Sequence, residues 1–348
     1  MNSSLPSTFR KLSVKSLSTK FRQCTEIVSC PFPASIRPTE VVVKNVFAGV
    51  NASDINFTAG TYKKGVAPPF DCGFEAMGTV VKIGAAVKHV KEGDAVVTQC
   101  FGGFSEFQTV PLRNVKRCPE VHARYLPLDL SGTTASIALT EVVAPKPGEV
   151  ALVTAAAGGT GQFAVQLLKH VYKCKVVGTC SSPDKVELLR KLGCDVAINY
   201  KQEDVGKVLR HHFPTGVNIV YESVGGAMLH TALEHIALKG RILTIGSISG
   251  YQNLSSWSTA GTPSDSVIPI PSQLLMKSAS LRGFFLPHFQ KYASAHFDKL
   301  VELERQGVIH STIDSNRCFE GLESVADAVE YLHSGANIGK VVVRISAP

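Results

Sequence analysis

Ala155-Ala156-Ala157-Gly158-Gly159-Thr160-Gly161 is the stretch on which the reading of this chain turns. It follows a short apolar run, Val150-Ala151-Leu152-Val153-Thr154, which predicts a buried parallel strand. Gln162 to Tyr172 follows with helical spacing. Strand, turn of small residues and helix together make a variant of the Gly-x-Gly-x-x-Gly dinucleotide turn, with alanine in the first place. Small residues let the backbone approach a pyrophosphate, and the helix N-terminus offers amides to the phosphates. Gly158, Thr160 and Gly161 are therefore expected to bind a cofactor.

Outward from that turn the alternation continues. Lys175–Cys180 reads as the next strand, Asp184–Leu192 as the next helix, and Asn218–Tyr221 and Arg241–Gly246 as further strands. Strand and helix in turn predict an α/β fold with a doubly wound Rossmann sheet, assigned to residues 131–287. The end of the second strand selects the cofactor. An NAD site places Asp or Glu there, about 20 residues past the turn, to accept from the ribose hydroxyls. This chain has Cys180-Ser181-Ser182-Pro183-Asp184-Lys185 instead. Asp184 falls past the strand and opens the helix. Ser181 and Lys185 suit a 2′-phosphate, and Tyr200, after Val196–Asn199, can cover the same group. NADPH is the expected cofactor.

The first third is different. Val41–Val46, Gly78–Gly84 and Asp94–Val97 are strand-like runs separated by turn residues, with no alternating long helices. A chain of 348 residues suits two domains. The hydrophobic share of 44% and charged share of 18% support a large core and argue against disorder over most of the length. No apolar run reaches the roughly 18 residues that cross a bilayer. The net charge is +8, but Lys and Arg are scattered and lack interleaved aromatics, so no nucleic-acid partner is expected. Nine cysteines, odd in number and without a Cys-x-x-Cys pair, point to free thiols in a reducing compartment. The basic, serine-rich start has two readings, a mitochondrial transit segment or the first strand within Lys11–Ile27; the second is preferred. Asn253 to Pro271, rich in Ser, Pro and Thr, reads as a long loop, either a lid or disordered.

Several motifs resemble the medium-chain dehydrogenase/reductase superfamily, quinone-reductase branch. They are Gly49-Val50-Asn51-Ala52-Ser53-Asp54, Asp71-Cys72-Gly73-Phe74-Glu75, Ala155 to Gln162 and Asn337-Ile338-Gly339-Lys340. Cys180-Ser181-Ser182, Val220 to Gly226 and Gly246 to Gln252 narrow the resemblance to the prostaglandin-reductase members of that branch. It implies a GroES-like β domain over 1–130, completed by 288–348, with the nucleotide domain inserted. It also implies NADPH-dependent reduction of the 13,14 double bond of 15-keto-prostaglandins, an oxidoreduction on a CH–CH bond of an enone. An NADPH quinone reductase on the same fold is the alternative. A non-enzymatic nucleotide- or RNA-binding protein is the alternative of another class.

The resemblance also assigns residues. Asn51 matches the family asparagine beside the nicotinamide, and a plain turn role before Ser53-Asp54 stays open. Tyr62 matches a proton donor or enolate binder of related enoyl reductases, with simple packing the other reading. Ser223, Ile245 and Asn337 lie on family-like cofactor segments, and Tyr251 is placed to meet cofactor or substrate. The Phe284-Phe285-Leu286 backbone is expected at the carboxamide, or as an edge strand in a homodimer, or both. Zinc-dependent relatives carry Cys where Asn51 stands and His where Phe74 stands; Asn and Phe cannot replace them, so no zinc is expected. Vertebrate relatives end in Ser-Lys-Leu, and Ser346-Ala347-Pro348 is no such signal. The expected location is therefore cytoplasmic or, by resemblance, peroxisomal, with mitochondrial still open from the basic N-terminus.

Overall fold

The computed structural model describes residues 5–62, 65–254 and 270–347. Most of the loop expected over Asn253 to Pro271, residues 255–269, lies outside the described residues, and a helix runs over Ile270–Lys277. The chain forms two compact units: residues up to Leu130 together with those from Ile313 onward, and Ser131–Thr312.

The Ser131–Thr312 unit carries a six-stranded parallel sheet. In space its strands run Val196–Asn199, Lys175–Cys180, Val150–Val153, Val217–Glu222, Ile236–Thr244 and Ser280–Gly283. The strand that precedes the glycine turn is thus central, and strand order reverses beside it, where doubly wound folds bind nucleotides. One row of the sheet shows why the sequence folds this way. Leu152 lies between Val177 and Val220, and Ile242 lies beyond Val220. All four are buried in one cluster with Ile198, Leu209 and Leu233. Each such side chain contributes about 1.5–3 kcal/mol by leaving water. Helices cover both faces, so the central strands are continuously apolar rather than alternating.

The other unit is antiparallel. Glu40–Gly49 pairs with Val342–Arg344, Glu75–Ile83 and Phe107–Pro111, and the sheet continues through Ala95–Gln99 to Val115–Arg117. A smaller sheet holds Thr25–Pro31, Thr8–Val14 and Phe70–Asp71. The N-terminal basic stretch therefore contributes a paired strand, Thr8–Val14, joined to the next by a short helix at Phe21–Cys24.

The return to this unit comes at Ile313, not at residue 288. The helix Ala293–Arg305 belongs with the parallel-sheet unit. It packs on Thr133–Ile137, where His296 Nδ1 and Ser136 Oγ lie 2.8 Å apart. Its buried residues Phe297 and Leu300 are spaced to face one side, which the linear pattern alone does not assign to either unit.

Candidate active site

In the parallel-sheet unit the turn after Val150–Val153 is held from beneath. Ala155 takes φ +47°, the left-handed region that glycine fills in the usual fingerprint. Its carbonyl accepts from Gly158 N at 3.0 Å. A Cβ on Gly161 would strike Ala155 O and come within 2.8 Å of Ala156 Cα, so that position must be bare for the helix Gly161–Gln166 to start against the strand. Thr160 faces inward. Its hydroxyl lies 3.0 Å from Ser131 O and 3.0 Å from the phenol of buried Tyr221. Thr160 thus braces the turn with its side chain.

The end of the second strand gathers the residues read as phosphate ligands. Ser182 caps the helix Pro183–Lys191, its Oγ accepting from Lys185 N at 3.4 Å, with proline at the first helical position and Asp184 in the first turn. One turn on, Lys185 folds back so that Nζ donates to Ser181 Oγ at 3.2 Å. Tyr200 N donates to Cys180 O at 3.0 Å, which brings Tyr200, 45% exposed, to the same strand end. Ser181 and Lys185 thus form a contact with a buried lysine stem, and the Tyr200 backbone is tied to the same strand end.

Ser223, Ile245 and Tyr251 form a second cluster, organised by a glutamate. Glu222 is fully buried at the end of its strand. Its carboxylate accepts from Val224 N, Gly225 N and Thr154 Oγ1, while burial pushes its pKa up. Its backbone carbonyl accepts from Ile245 N at 2.7 Å. Ser223 O accepts from Ile248 N, and Ser223 Oγ is buried with no hydrogen-bond partner among the described residues. Tyr251 is 8% exposed, and its hydroxyl accepts from Ser247 N at 3.0 Å, so the ring closes this loop from inside. Phe284 N donates to Thr244 O, and the Phe284 ring stacks on Phe289. Leu286 is buried, while Phe285 is half exposed beside His288.

The antiparallel unit holds the other assigned residues. Asn51 sits between charges. Its Oδ1 accepts from Lys340 Nζ at 2.6 Å, and its Nδ2 donates to Glu75 Oε1 at 3.0 Å. Lys340 and Glu75 form an ion pair, 2% and 0% exposed. Asn51 N donates to Asp54 Oδ2 at 2.8 Å, so the turn reading of Asn51 and its place in a charged cluster hold together. Burial drives the Asp54 carboxyl up to about 7, against the hydrogen bond from Asn51 N and the attraction of Lys340. Asn337 donates through Nδ2 to Gly339 O at 2.8 Å and thereby shapes the turn that delivers Lys340. Tyr62 accepts from Asn56 Nδ2 at 3.3 Å, with Phe74 beside it at 6.4 Å between ring centroids. Phe57, Phe74 and Phe101 complete an aromatic wall, with Phe57 stacked on Phe101 at 4.2 Å.

Known proteins match both units. Residues 37–143 match the alcohol dehydrogenase GroES-like domain, and residues 159–303 match the family described as zinc-binding dehydrogenase. A probable quinone oxidoreductase of Leishmania amazonensis is 49% identical over 98% of this chain and 99% of its own length. The chain belongs to the medium-chain dehydrogenase/reductase superfamily, in its quinone oxidoreductase branch. Prostaglandin reductase-3 of Mus musculus is 45% identical over 99% of this chain and 92% of its own. Among solved structures, Escherichia coli quinone oxidoreductase complexed with NADPH is 25% identical with a TM-score of 0.82, covering 96% of this chain and 99% of that one. A mycobacterial protein complexed with NADPH is 26% identical with a TM-score of 0.83, covering 97% and 99%.

Zinc in the description of the matched family does not suit the donors of this oxidoreductase. Phe74 offers only a ring, packed against Phe57 and Phe101. The Asn51 oxygen already faces an ammonium, which would repel a dication. Among the described residues no group of three or more His, Cys, Asp or Glu is placed to hold a metal ion.

Sequence reasoning assigned no role to Glu75, Lys340, Asp54 or Glu222. Glu75 and Lys340 stand 265 positions apart, so no local pattern links them. The available signal was the odd placement of each charge within an apolar run, Gly73-Phe74-Glu75-Ala76-Met77 and Lys340-Val341-Val342-Val343.

Proposed function

We propose that this oxidoreductase uses NADPH to reduce the conjugated C=C bond of enones, with 15-keto-prostaglandins as the substrate class. The observation that carries the cofactor choice is the Ser181–Lys185 contact at the end of the second strand, where the sequence continues Cys180-Ser181-Ser182 in place of an acid. The relatives complexed with NADPH support the same choice. The enone and prostaglandin choice rests on prostaglandin reductase-3, and a 2-alkenal reductase (NADP(+)-dependent) of Nicotiana tabacum, 32% identical over 88% of this chain, supports it.

When bound, the cofactor supplies hydride to the β-carbon of the enone. The chain's task is then to hold the substrate carbonyl, stabilise negative charge on its oxygen and deliver a proton to the α-carbon. Tyr62 carries a phenolic proton beside the apolar surface of Phe74 and Phe101, which suits a planar conjugated substrate. Asn51 and Tyr62 are the proposed active-site side chains. Gly158, Thr160, Gly161, Ser181, Lys185, Tyr200, Ser223, Ile245, Tyr251, Phe284, Phe285, Leu286 and Asn337 are the proposed cofactor segments.

Quinone reduction is the second reading, favoured by the Leishmania amazonensis relative. Purified protein is assayed for NADPH oxidation with a 15-keto-prostaglandin, a short enone and a benzoquinone. Saturable turnover of the prostaglandin with loss of its enone absorbance supports the first reading. Turnover of the quinone alone sinks it.

A further inference from the structure

The buried cluster of the antiparallel unit goes beyond the roles assigned so far. An asparagine side chain has two nearly isosteric faces, and in water its amide rotates freely between them. At Asn51 the two faces are distinguished by charge. The oxygen meets the Lys340 ammonium at 2.6 Å, and the nitrogen meets the Glu75 carboxylate at 3.0 Å and Gly49 O at 3.3 Å. Flipping the amide would set NH2 against NH3+ and C=O against a carboxylate, two repulsions against a buried lysine and a buried glutamate.

The surroundings are built for this clamp. Gly49 is bare because a Cβ there would run into the Glu75 side chain, including Cγ at 2.9 Å. The lysine is delivered by a pinned turn: Asn337 Nδ2 bonds Gly339 O, Gly339 takes φ +83°, and Asp314 N donates to Lys340 O at 2.8 Å. Asp314 Oδ2 in turn accepts from Ile338 N at 2.6 Å. These bonds leave the lysine backbone little freedom. A purely stabilising ion pair would need neither an asparagine bridging both partners nor a glycine cleared for the carboxylate.

We infer that Lys340 is a positioning residue: its ammonium, paired with Glu75, fixes the Asn51 carboxamide in one orientation for the reduction step. This rests on the proposed reading that Asn51 borders the reacting atoms. The positive charge stands beside Asn51, at one of the two positions where zinc-dependent relatives carry a metal ligand. The inference is that this chain places an ammonium against the Asn51 oxygen and uses it to orient an amide.

The test compares Lys340→Met, Lys340→Arg and the double variant Lys340→Met/Glu75→Gln, which removes both charges and keeps an acceptor for Asn51 Nδ2. Three quantities are read: Tm, steady-state kinetics with NADPH and an enone, and the Asn51 side-chain amide signals in protein labelled with 15N-asparagine. Lys340→Met is expected to lower kcat by about 100-fold, the scale of a misplaced active-site group, while KM for NADPH stays within about twofold. The double variant is expected to regain Tm but not kcat, and Lys340→Arg to regain part of kcat. The two Asn51 side-chain amide signals are expected to move toward the values of a solvated asparagine in Lys340→Met. A double variant with wild-type kcat would show charge compensation alone and overturn the inference. So would unchanged Asn51 signals in Lys340→Met. If the wild-type protein reduces no enone or quinone, the functional reading fails instead, and the amide signals still decide whether Lys340 orients Asn51.

Discussion

Lys185 Nζ donates to Ser181 Oγ at 3.2 Å, which joins a helix to the end of the strand before it. The lysine is 8% exposed, yet it stands in the first turn of a helix, the turn that Ser182 caps through Lys185 N. On the proposed reading this cation meets the 2′-phosphate of NADPH. Lys185→Ala is expected to raise KM for NADPH about 10- to 100-fold, corresponding to about 1.5–3 kcal/mol for hydrogen bonds to a charged group. KM for NADH should change by less than about threefold. Measuring both cofactors with one enone checks this, and an unchanged NADPH-to-NADH ratio removes Lys185 from the phosphate site.

The glycine turn makes two opposite forecasts. Ala155 holds φ +47° with a Cβ, a conformation that costs a non-glycine residue about 1–2 kcal/mol. Ala155→Gly should therefore leave stability unchanged or raise Tm slightly, with cofactor binding kept. Gly161→Ala places a methyl against the Ala155 carbonyl and Ala156 Cα, both backbone atoms that cannot swing aside. It should cost about 1–3 kcal/mol and weaken NADPH binding. Thermal melts and fluorescence titration of the two variants test the pair; equal behaviour would mean that the turn is not packed as described.

Asp54 makes stability depend on pH in a stated direction. Burial raises its pKa in the folded protein to about 7, above the ordinary value of 3.8. The folded state therefore binds an extra proton between those values, and the contribution of this group is fully present below about pH 4 and is lost as pH rises through about 7. Asp54→Asn keeps an acceptor for Asn51 N and removes the titration. The difference in Tm between Asp54→Asn and the wild type should grow in favour of the variant from pH 5 to pH 7 and level off above. A difference that stays constant across that range would show that Asp54 is not the titrating group.

The strand Ser280–Gly283 lies at one end of the parallel sheet and pairs on one side with Ile236–Thr244. The helix that leads into it exposes Leu275 and Met276, 78% and 79% open, and Leu238 in the neighbouring strand is 66% open. An open sheet edge and a preceding helix with exposed apolar side chains suit a second copy of the chain, and a homodimer through this edge is the expected state. Leu275→Glu with Met276→Glu should shift sedimentation from dimer to monomer with little change in Tm. A wild-type protein that sediments as a monomer at micromolar concentration would end this expectation.

The parallel sheet was legible because its strands are buried on both faces. Val150–Val153 and Lys175–Cys180 are short apolar runs between helical spacings, and each is a strand in the fold. Ser181 and Lys185 come together for a local reason: Ser182 caps the helix, and Lys185 in its first turn reaches back to the residue before the cap. Tyr251 and Thr160 were less legible. Their hydroxyls turn inward, to Ser247 N and to Tyr221, and a side chain's direction in a loop depends on what packs beneath it.

The sequence by itself determined the fold class and the glycine-rich turn between the first parallel strand and its helix, because periodicity and small residues act over a few positions. It also determined that Asn51 and Phe74 are no zinc ligands, since that follows from their chemistry alone. Only the tertiary structure decided that Glu75 and Lys340 hold Asn51 from both sides, that Glu222 ties two strand ends together, and that Ala293–Arg305 packs with the parallel sheet. Those relations join residues far apart in the chain, and a buried charge finds its partner through the packing of the whole unit rather than through its neighbours in sequence.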